Sequence, residues 1–509
     1  MDILTKSLSL FFRNRLKEID SFARKADEIQ HKQLKRLLSA AKETEWGRRY
    51  DYKSILSYSE FKKRIPLQSY EDIKPFVNRM INGEKNILWP SSVRWYAKSS
   101  GTTNERSKFL PITHEILQDC HYQGGYDSVA LYLRNNPQSR FFRGKGLILG
   151  GSHSPSPLNH EAHCGDLSAV LLQNLSPMIN WIRVPSKKII LMDEWESKMK
   201  AIVENTYNKN VNNLSGVPSW MLVLIKAVLQ KTGREYLTEV WPNIEVFFHG
   251  GISFEPYREQ YRALIPTDRM HYVETYNASE GFFGIQSDLT DNSMLLMLDY
   301  GIFYEFISVN ELEAPNPSVI PLEAVETGKN YAMVITTSGG LWRYLIGDTV
   351  RFTSVLPYKF VISGRTKHYI NAFGEELMID NADKALSRSC KETGAIVKEY
   401  TVAPLFFLER AKGRHQWFIE FEKKPTVPFS EFATLLDKHL KELNSDYDAK
   451  RYKEISLMDP EIIVAHPGVF YRWLKEKGKL GGQHKIPRLN NDRKHIEELL
   501  AINQNLNEK

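Results

Sequence analysis

Five short segments concentrate residue types that can do chemistry. The first is Ser99-Ser100-Gly101-Thr102-Thr103, with Lys108 just beyond. Small hydroxyl residues around a glycine can lay backbone N–H and side-chain O–H donors around phosphate oxygens, and Lys108 adds charge. The spacing is not that of a Walker A loop, and the same residues also suit a plain surface turn. The second is Tyr276-Asn277-Ala278-Ser279-Glu280. Its ring can stack on a base and its carboxylate can hold Mg²⁺ through a hard oxygen. Without further context the same residues read first as a strand-to-loop turn with an N-cap serine and a solvated glutamate. The third, Leu341 to Val350, runs through Arg343 to a strand end at Gly347-Asp348. An acid there can accept both hydroxyl protons of a ribose, or simply close a hairpin turn. The fourth, Ser363 to Glu376, holds Gly364-Arg365-Thr366-Lys367 and reads as a hinge, or as a linker with a polar helix start. The fifth runs from Gly478 to Arg488 and carries Lys485 in a glycine-rich loop. Lys485 is a compact charge able to reach a phosphate oxygen or a carboxylate, unless the loop is only a solvated basic one.

These segments need elements to hold them. Apolar runs at Val93 to Ala97, Gly146 to Gly151, Ile244 to Gly251 and Tyr331 to Thr337 predict strands, several running into Gly/Ser-rich turns. A helix is predicted between them at Trp220 to Gln230. Strands alternating with helices imply an α/β sheet whose ligands bind at the strands' carboxyl ends. Before it, Ile3, Leu4, Leu8, Phe11, Phe12, Leu16 and Ile19 recur at helical spacing, so the first 46 residues read as helix. Beyond Arg365 the texture changes. A strand at Gln416 to Phe421, an amphipathic helix at Phe429 to Leu443, a strand at Glu461 to Ala465 and a last helix at His495 to Leu506 predict a smaller α+β domain. The expected fold is therefore α/β, with a large N-terminal domain over residues 1–364 and a smaller C-terminal domain over 365–509.

Composition narrows the function classes. At 509 residues the chain has ample length for a core without staples. Its 68 basic and 61 acidic residues give a net charge of only +7, interleaved rather than gathered in a stripe, which argues against a nucleic-acid partner. The three cysteines, Cys120, Cys164 and Cys390, form no CxxC pair, so a zinc site or disulfide framework is not expected and a cytoplasmic setting is. No apolar run approaches membrane-spanning length, and no membrane partner is expected.

The order of the five segments is more specific than any one of them. A hydroxyl-rich loop, an aromatic-acid loop, a Gly-Asp turn, a hinge and a late Gly-Gly-x-x-Lys loop are laid out as in acyl-adenylating enzymes. More closely, the chain resembles the Gretchen Hagen three family of acyl acid amido synthetases. The resembling residues are Ser99 to Thr103 with Lys108, Tyr276 to Gly281, Arg343 to Asp348, and Gln483 to Arg488. One departure stands out: Asn104 and Glu105 fill a stretch where members known for amide synthesis carry a second glycine.

The resemblance implies an adenylating-enzyme-like fold with a mobile C-terminal domain hinged at Arg365 to Lys367. It implies an ATP-dependent, AMP-forming ligase that adenylates a carboxylic acid and passes the acyl group to an amino acid. Phosphates would be held by Ser99, Ser100, Gly101, Thr102 and Thr103. Adenine would meet Tyr276, with Gly250 and Gly251 in close backbone approach and Ser279 nearby. Ribose would meet Asp348 and Arg365, and Mg²⁺ would meet Glu280. Lys485 would bridge carboxylate and α-phosphate. Cys120 to Leu133, with His121, Tyr122 and Tyr126, is a candidate acyl-pocket wall. Two other readings stay open: coenzyme A as acceptor, and a nucleotide-binding protein without catalysis.

Overall fold

The computed structural model describes residues 2–99, 108–151, 156–159, 161–176, 181–192, 194–312, 314–366, 370, 372–373, 375, 377–407, 412–451, 457–480 and 486–507. Its early strands are β1 (Trp95–Ser99), β2 (Lys108–Ile112), β3 (Lys145–Ile148), β4 (Ser156–Pro157), β5 (His163–Gly165) and β6 (Arg183–Val184). The middle strands are β7 (Val211–Gly216), β8 (Val246–His249), β9 (His271–Ala278), β10 (Gly281–Gln286), β11 (Met294–Leu296), β12 (Ile302–Ser308) and β13 (Val319–Pro321). Next come β14 (Asn330–Thr337), β15 (Tyr344–Val355) and β16 (Tyr358–Arg365), then β17 (Ile396–Phe407), β18 (Lys412–Lys423) and β19 (Glu461–Val464).

Twelve strands form one sheet in the order β13-β12-β14-β15-β16-β11-β10-β9-β8-β7-β3-β6. Its two halves differ. From β6 through β3, β7 and β8 to β9 every pairing is parallel, and helices such as Trp195–Thr206 and Pro218–Thr232 make the crossovers. Beyond β9, pairings through β10, β11 and β16 are antiparallel, as are those of β12 with β13 and β14. The α/β expectation therefore describes the half that carries the glycine-rich turns. A second sheet, β2-β1-β5-β4, holds the β1–β2 hairpin. Ser99 pairs with Lys108 in it, so the hydroxyl-rich segment starts at the last residue of β1 and Lys108 opens β2.

The N-terminal stretch is helical, in segments. It resolves into Ile3–Ser9, a 3₁₀ turn at Leu10–Phe12, Arg13–Asp20 and Phe22–Ala41, the last kinked at Lys25. At Ser21 the chain stays helical, its N–H donating to the Lys17 carbonyl at 3.2 Å, and its hydroxyl donates to the Glu18 carbonyl at 2.6 Å.

Packing divides the chain into two units. One comprises Met1–Gly251, Ile265–Ile346 and Val350–Val361; the other comprises Ile252–Leu264, Gly347–Thr349 and Ile362–Lys509. The second unit is built on β17-β18-β19, with β17–β18 antiparallel and β18–β19 parallel. Helices Ile379–Thr393 and Phe429–Leu443 pack on it. Phe432, Leu436 and Leu440 recur every four residues on the buried face and join Leu386, Tyr400 and Trp417 in one apolar core. Among the described residues, no helix is long and apolar enough to cross a membrane.

Candidate active site

Five parallel strands deliver their carboxyl ends to one edge of the sheet. β3 runs into Leu149-Gly150-Gly151, β7 ends at Gly216, β8 runs into Gly250-Gly251 and β9 into Ser279-Glu280. Crevices at these ends are where open α/β sheets bind ligands. The register pairs His249 with Glu274, so residues 275–278 of β9 project past the last paired residue of β8. Gly250 sits against that projection. A Cβ there would lie 2.2 Å from the Thr275 carbonyl oxygen, closer than any side chain tolerates. The close approach expected of Gly250 is thus made to its neighbouring strand. Gly251 has φ +86°, in the left-handed region that favours glycine.

The β9–β10 hairpin closes with Ala278 paired to Gly281, leaving Ser279 and Glu280 as its two-residue turn. Glu280 is half-buried and Ser279 is buried. Tyr276 lies on β9 with its ring only 6% exposed, packed on Phe283 at 4.9 Å and Phe360 at 6.1 Å between centroids. It is a core ring with little free face.

A π-helical segment, Ile116–Tyr122, packs against this hairpin and continues as the helix Gln123–Asn135. Opposite it the β9–β10 register slips between Phe282 and Gly284. Such irregularities recur at functional sites, where they re-aim side chains. The Phe282 N–H donates to Cys120 Sγ at 3.1 Å, and a Cβ on Gly124 would strike the Phe282 ring. His121 Nδ1 meets Asn277 Oδ1 at 2.9 Å. An amide oxygen only accepts, so Nδ1 carries the proton and Nε2 presents a lone pair. That Nε2 is buried with no hydrogen-bond partner. Burial lowers the imidazole pKa to about 4, so the ring is neutral at pH 7. Its contact with the Tyr276–Glu280 segment joins residues 156 positions apart, which no spacing rule anticipates.

Sequence reading also passed over Lys198. It falls on the buried stripe of its helix with Trp195, Met199 and Ile202, and it donates to the Gly150 and Gly151 carbonyls at the end of β3. A lysine on an apolar stripe was the available signal.

The third segment requires a correction. Gly347-Asp348 does not end a strand or turn a hairpin; both lie inside β15, which continues to Val355. Gly347 adopts φ +87°, which only glycine takes without strain, and the strand bends there and runs on. The Gly347 carbonyl accepts from the Thr366 N–H at 2.8 Å, which sets Asp348 beside the chain at Arg365, the last residue of β16. Asp348 is 8% exposed. Both belong to the second unit. The polar helix start expected after Arg365 is displaced to Ile379.

Arg343 faces the protein instead of a ligand. It is buried, with a bidentate pairing to buried Glu305 at 2.9–3.2 Å, and it donates to the Lys62 and Ile65 carbonyls. Tyr58 Oη donates to Glu305 at 3.0 Å. This brace pins residues 58–65 to β12.

Ser100, Gly101, Thr102, Thr103 and Lys485 lie outside the described residues, as do the side chains of Ser99 and Arg365. Lys108 is described, and its ammonium lies 5.7 Å from the Tyr70 ring centroid.

Comparison with known proteins finds three domains of one family along the chain. Residues 15–270 match the GH3 family N-terminal domain, 295–365 the GH3 family central domain and 380–494 the GH3 family C-terminal domain. The chain is 25% identical to indole-3-acetic acid-amido synthetase GH3.4 of Arabidopsis thaliana, over 93% of this chain and 91% of that protein. It is 23% identical to the 4-substituted benzoates-glutamate ligase GH3.12 of the same plant, over 94% of each. Among solved structures, the GH3.15 acyl acid amido synthetase superposes with a TM-score of 0.78 at 20% identity, covering 96% of this chain and 95% of that one. A 2-hydroxyisobutyryl-CoA ligase shares the fold at a TM-score of 0.59 and 13% identity, covering 96% and 93%. The N-terminal match alone spans half of the chain and the other two follow it in order, so the chain belongs to the GH3 family.

Proposed function

We propose that the protein is an ATP-dependent, AMP-forming acyl acid-amido synthetase that joins a small carboxylic acid to an amino acid. The observation that carries this reading is the order of the three GH3 domains along the chain, with Gly250-Gly251 and Ser279-Glu280 gathered at the carboxyl ends of β8 and β9.

The chemistry runs in two half-reactions. A carboxylate oxygen attacks the α-phosphorus of ATP, and pyrophosphate leaves with the electrons of the broken P–O bond. The amine of the amino acid then attacks the acyl carbon, and AMP leaves. Negative charge builds on phosphate oxygens in the first step. Donors offered by Ser99, Ser100, Gly101, Thr102 and Thr103 stabilise it electrostatically. Gly250 and Gly251 bring backbone close to the nucleotide, Tyr276 packs at the base, and Ser279 adds a hydroxyl. Asp348 takes the ribose hydroxyls, with Arg365 beside it. Lys485 bridges the acyl carboxylate and the α-phosphate, carried by a C-terminal domain over 365–509 that moves about Arg365 to Lys367. The helix from Cys120 to Leu133 borders the acyl acid.

The donor set suits Mg²⁺. Among the described residues no three His, Cys, Asp or Glu side chains cluster to hold a metal, and Glu280 offers a single hard carboxylate at a hairpin turn. Mg²⁺ is bound in this way, by one or two carboxylates with water and phosphate oxygens completing the shell. When bound, the ion neutralises charge on the β- and γ-phosphates. We place the activity in the cytoplasm, where the free thiols of Cys120, Cys164 and Cys390 stay reduced.

The test is pyrophosphate release from ATP and Mg²⁺ across a carboxylic-acid library containing indole-3-acetic acid and 4-substituted benzoic acids, the classes named for two relatives. Acid-dependent release is expected, and its loss in Lys485→Ala with ATP binding retained. No release with any acid defeats the proposal.

A further inference from the structure

The strap that leaves the Gly478–Lys485 loop is anchored in unusual detail. The Pro487 carbonyl accepts from Thr401 Oγ1 at 2.6 Å. The Arg488 carbonyl accepts from the Val402 N–H at 2.8 Å, and the Asn490 N–H donates to the Val402 carbonyl at 3.1 Å. A short parallel pairing with β17, centred on Leu489 opposite Val402, thus begins three residues after Lys485.

From that pairing the Arg488 side chain turns into the second unit and is 11% exposed. Nη2 lies 2.9 Å from Glu399 Oε1 and donates to Tyr257 Oη at 2.9 Å. The guanidinium stacks over Tyr400, 4.4 Å from its centroid. Tyr400 Oη in turn donates to Asp383 Oδ1 at 2.6 Å. Three elements meet on one cation: β17 supplies Glu399 and Tyr400, the helix Ile379–Thr393 supplies Asp383, and the 3₁₀ turn Glu255–Tyr257 supplies Tyr257. Tyr257 belongs to the segment Ile252–Leu264, which leaves Gly250-Gly251 and packs with the second unit.

An apolar side chain anchors a strap as stably as a buried ion pair, because the pair's Coulomb gain is largely spent on desolvation. What the guanidinium adds is direction: a planar fork that pairs, donates and stacks holds one orientation, which an ammonium cannot reproduce. The position of this cage, three residues after the lysine, makes that direction consequential.

We propose that Arg488 is a positioning residue for Lys485, and that its cage of Glu399, Tyr400 and Tyr257 fixes the chain three residues after the lysine. The inference rests on the reading of Lys485 as the adenylating lysine. Arg488 touches no reacting atom in this scheme; it acts through the chain it holds.

The test separates the half-reactions. Tyr257→Phe removes one hydrogen bond and keeps the ring; Arg488→Lys keeps the charge and loses the fork. Pyrophosphate release is measured with the fastest acid of the library, and amide formation is measured from its chemically prepared adenylate. For Tyr257→Phe we expect adenylation kcat to fall about tenfold, the size of one lost hydrogen bond to a charged group. The KM for ATP stays unchanged, the melting temperature falls by only about 3–6 °C, and amide formation from supplied adenylate is that of the parent. Arg488→Lys falls further on the same pattern. A structural role alone lowers both half-reactions together, in step with lost folded protein. That result, or unchanged adenylation in both variants, overturns the proposal. Lys485→Ala is run alongside. If it adenylates at the parent rate, the reading of Lys485 fails and the proposal with it. If it is inactive while both cage variants are unaffected, the proposal alone fails.

Discussion

Removing the Glu305 carboxylate should cost this protein more stability than almost any other single change, and a second substitution should give most of it back. Arg343 is 3% exposed and Glu305 0%. Glu305→Leu leaves the guanidinium with only the Lys62 and Ile65 carbonyls, at 3.0 and 2.6 Å, and strips Tyr58 Oη of its acceptor. An uncompensated buried charge of this kind costs about 3–5 kcal/mol. At about 2–4 °C per kcal/mol for a large domain, the melting temperature falls by roughly 10 °C. In the double variant Glu305→Leu, Arg343→Met, no charge is left stranded, and the loss should shrink to about 1–2 kcal/mol. Urea unfolding followed by tryptophan fluorescence gives the four corners of the cycle, and ATP titration on each folded variant gives nucleotide affinity. Affinity should be unchanged throughout. A double variant no more stable than Glu305→Leu, or lost ATP affinity in a variant that keeps its stability, would refute the view of Arg343 as an internal brace.

Two further outcomes follow from single side chains. Burial holds the His121 pKa near 4, against 6.5 when exposed. The unfolded chain therefore binds the extra proton first, so stability is full above pH 6.5 and is lost as pH falls towards 4. The loss reaches about 3 kcal/mol relative to His121→Gln, in which that slope is absent; parallel curves for the two proteins would contradict it. Glu280→Gln should raise the Mg²⁺ concentration for half-maximal pyrophosphate release at least about tenfold while leaving metal-free ATP binding intact. An unshifted Mg²⁺ titration would remove Glu280 from the metal.

Local pattern reached the elements and stopped at their partners. Phe429–Leu443 was legible because Phe432, Leu436 and Leu440 repeat at helical spacing. The strands feeding Gly150-Gly151 and Gly250-Gly251 were legible because apolar runs end at glycines. The order of the five segments was legible as a family layout, and the GH3 family matches bear it out. What escaped was decided by contacts distant in sequence. Arg343 sits in a legible motif, yet its role is set by Glu305 across the sheet and by the Lys62 and Ile65 carbonyls. Gly347-Asp348 has the composition of a turn, but pairing through Thr366 keeps it in a strand. Tyr276 reads as an aromatic beside an acid, and its packing on Phe283 and Phe360 lies outside the segment that holds it. The cage on Arg488 draws on three elements that no window along the chain contains together.

The central claim is amide synthesis through an acyl-adenylate, and acceptor competition tests it most directly. The enzyme is given ATP, Mg²⁺ and its fastest acid, with an equimolar pool of amino acids and coenzyme A, and products are identified by mass. The account predicts an N-acyl amino acid, one AMP per amide formed, and turnover that rises with the amino acids and not with coenzyme A. An acyl-coenzyme A thioester as the sole product, with turnover indifferent to amino acids, would contradict it.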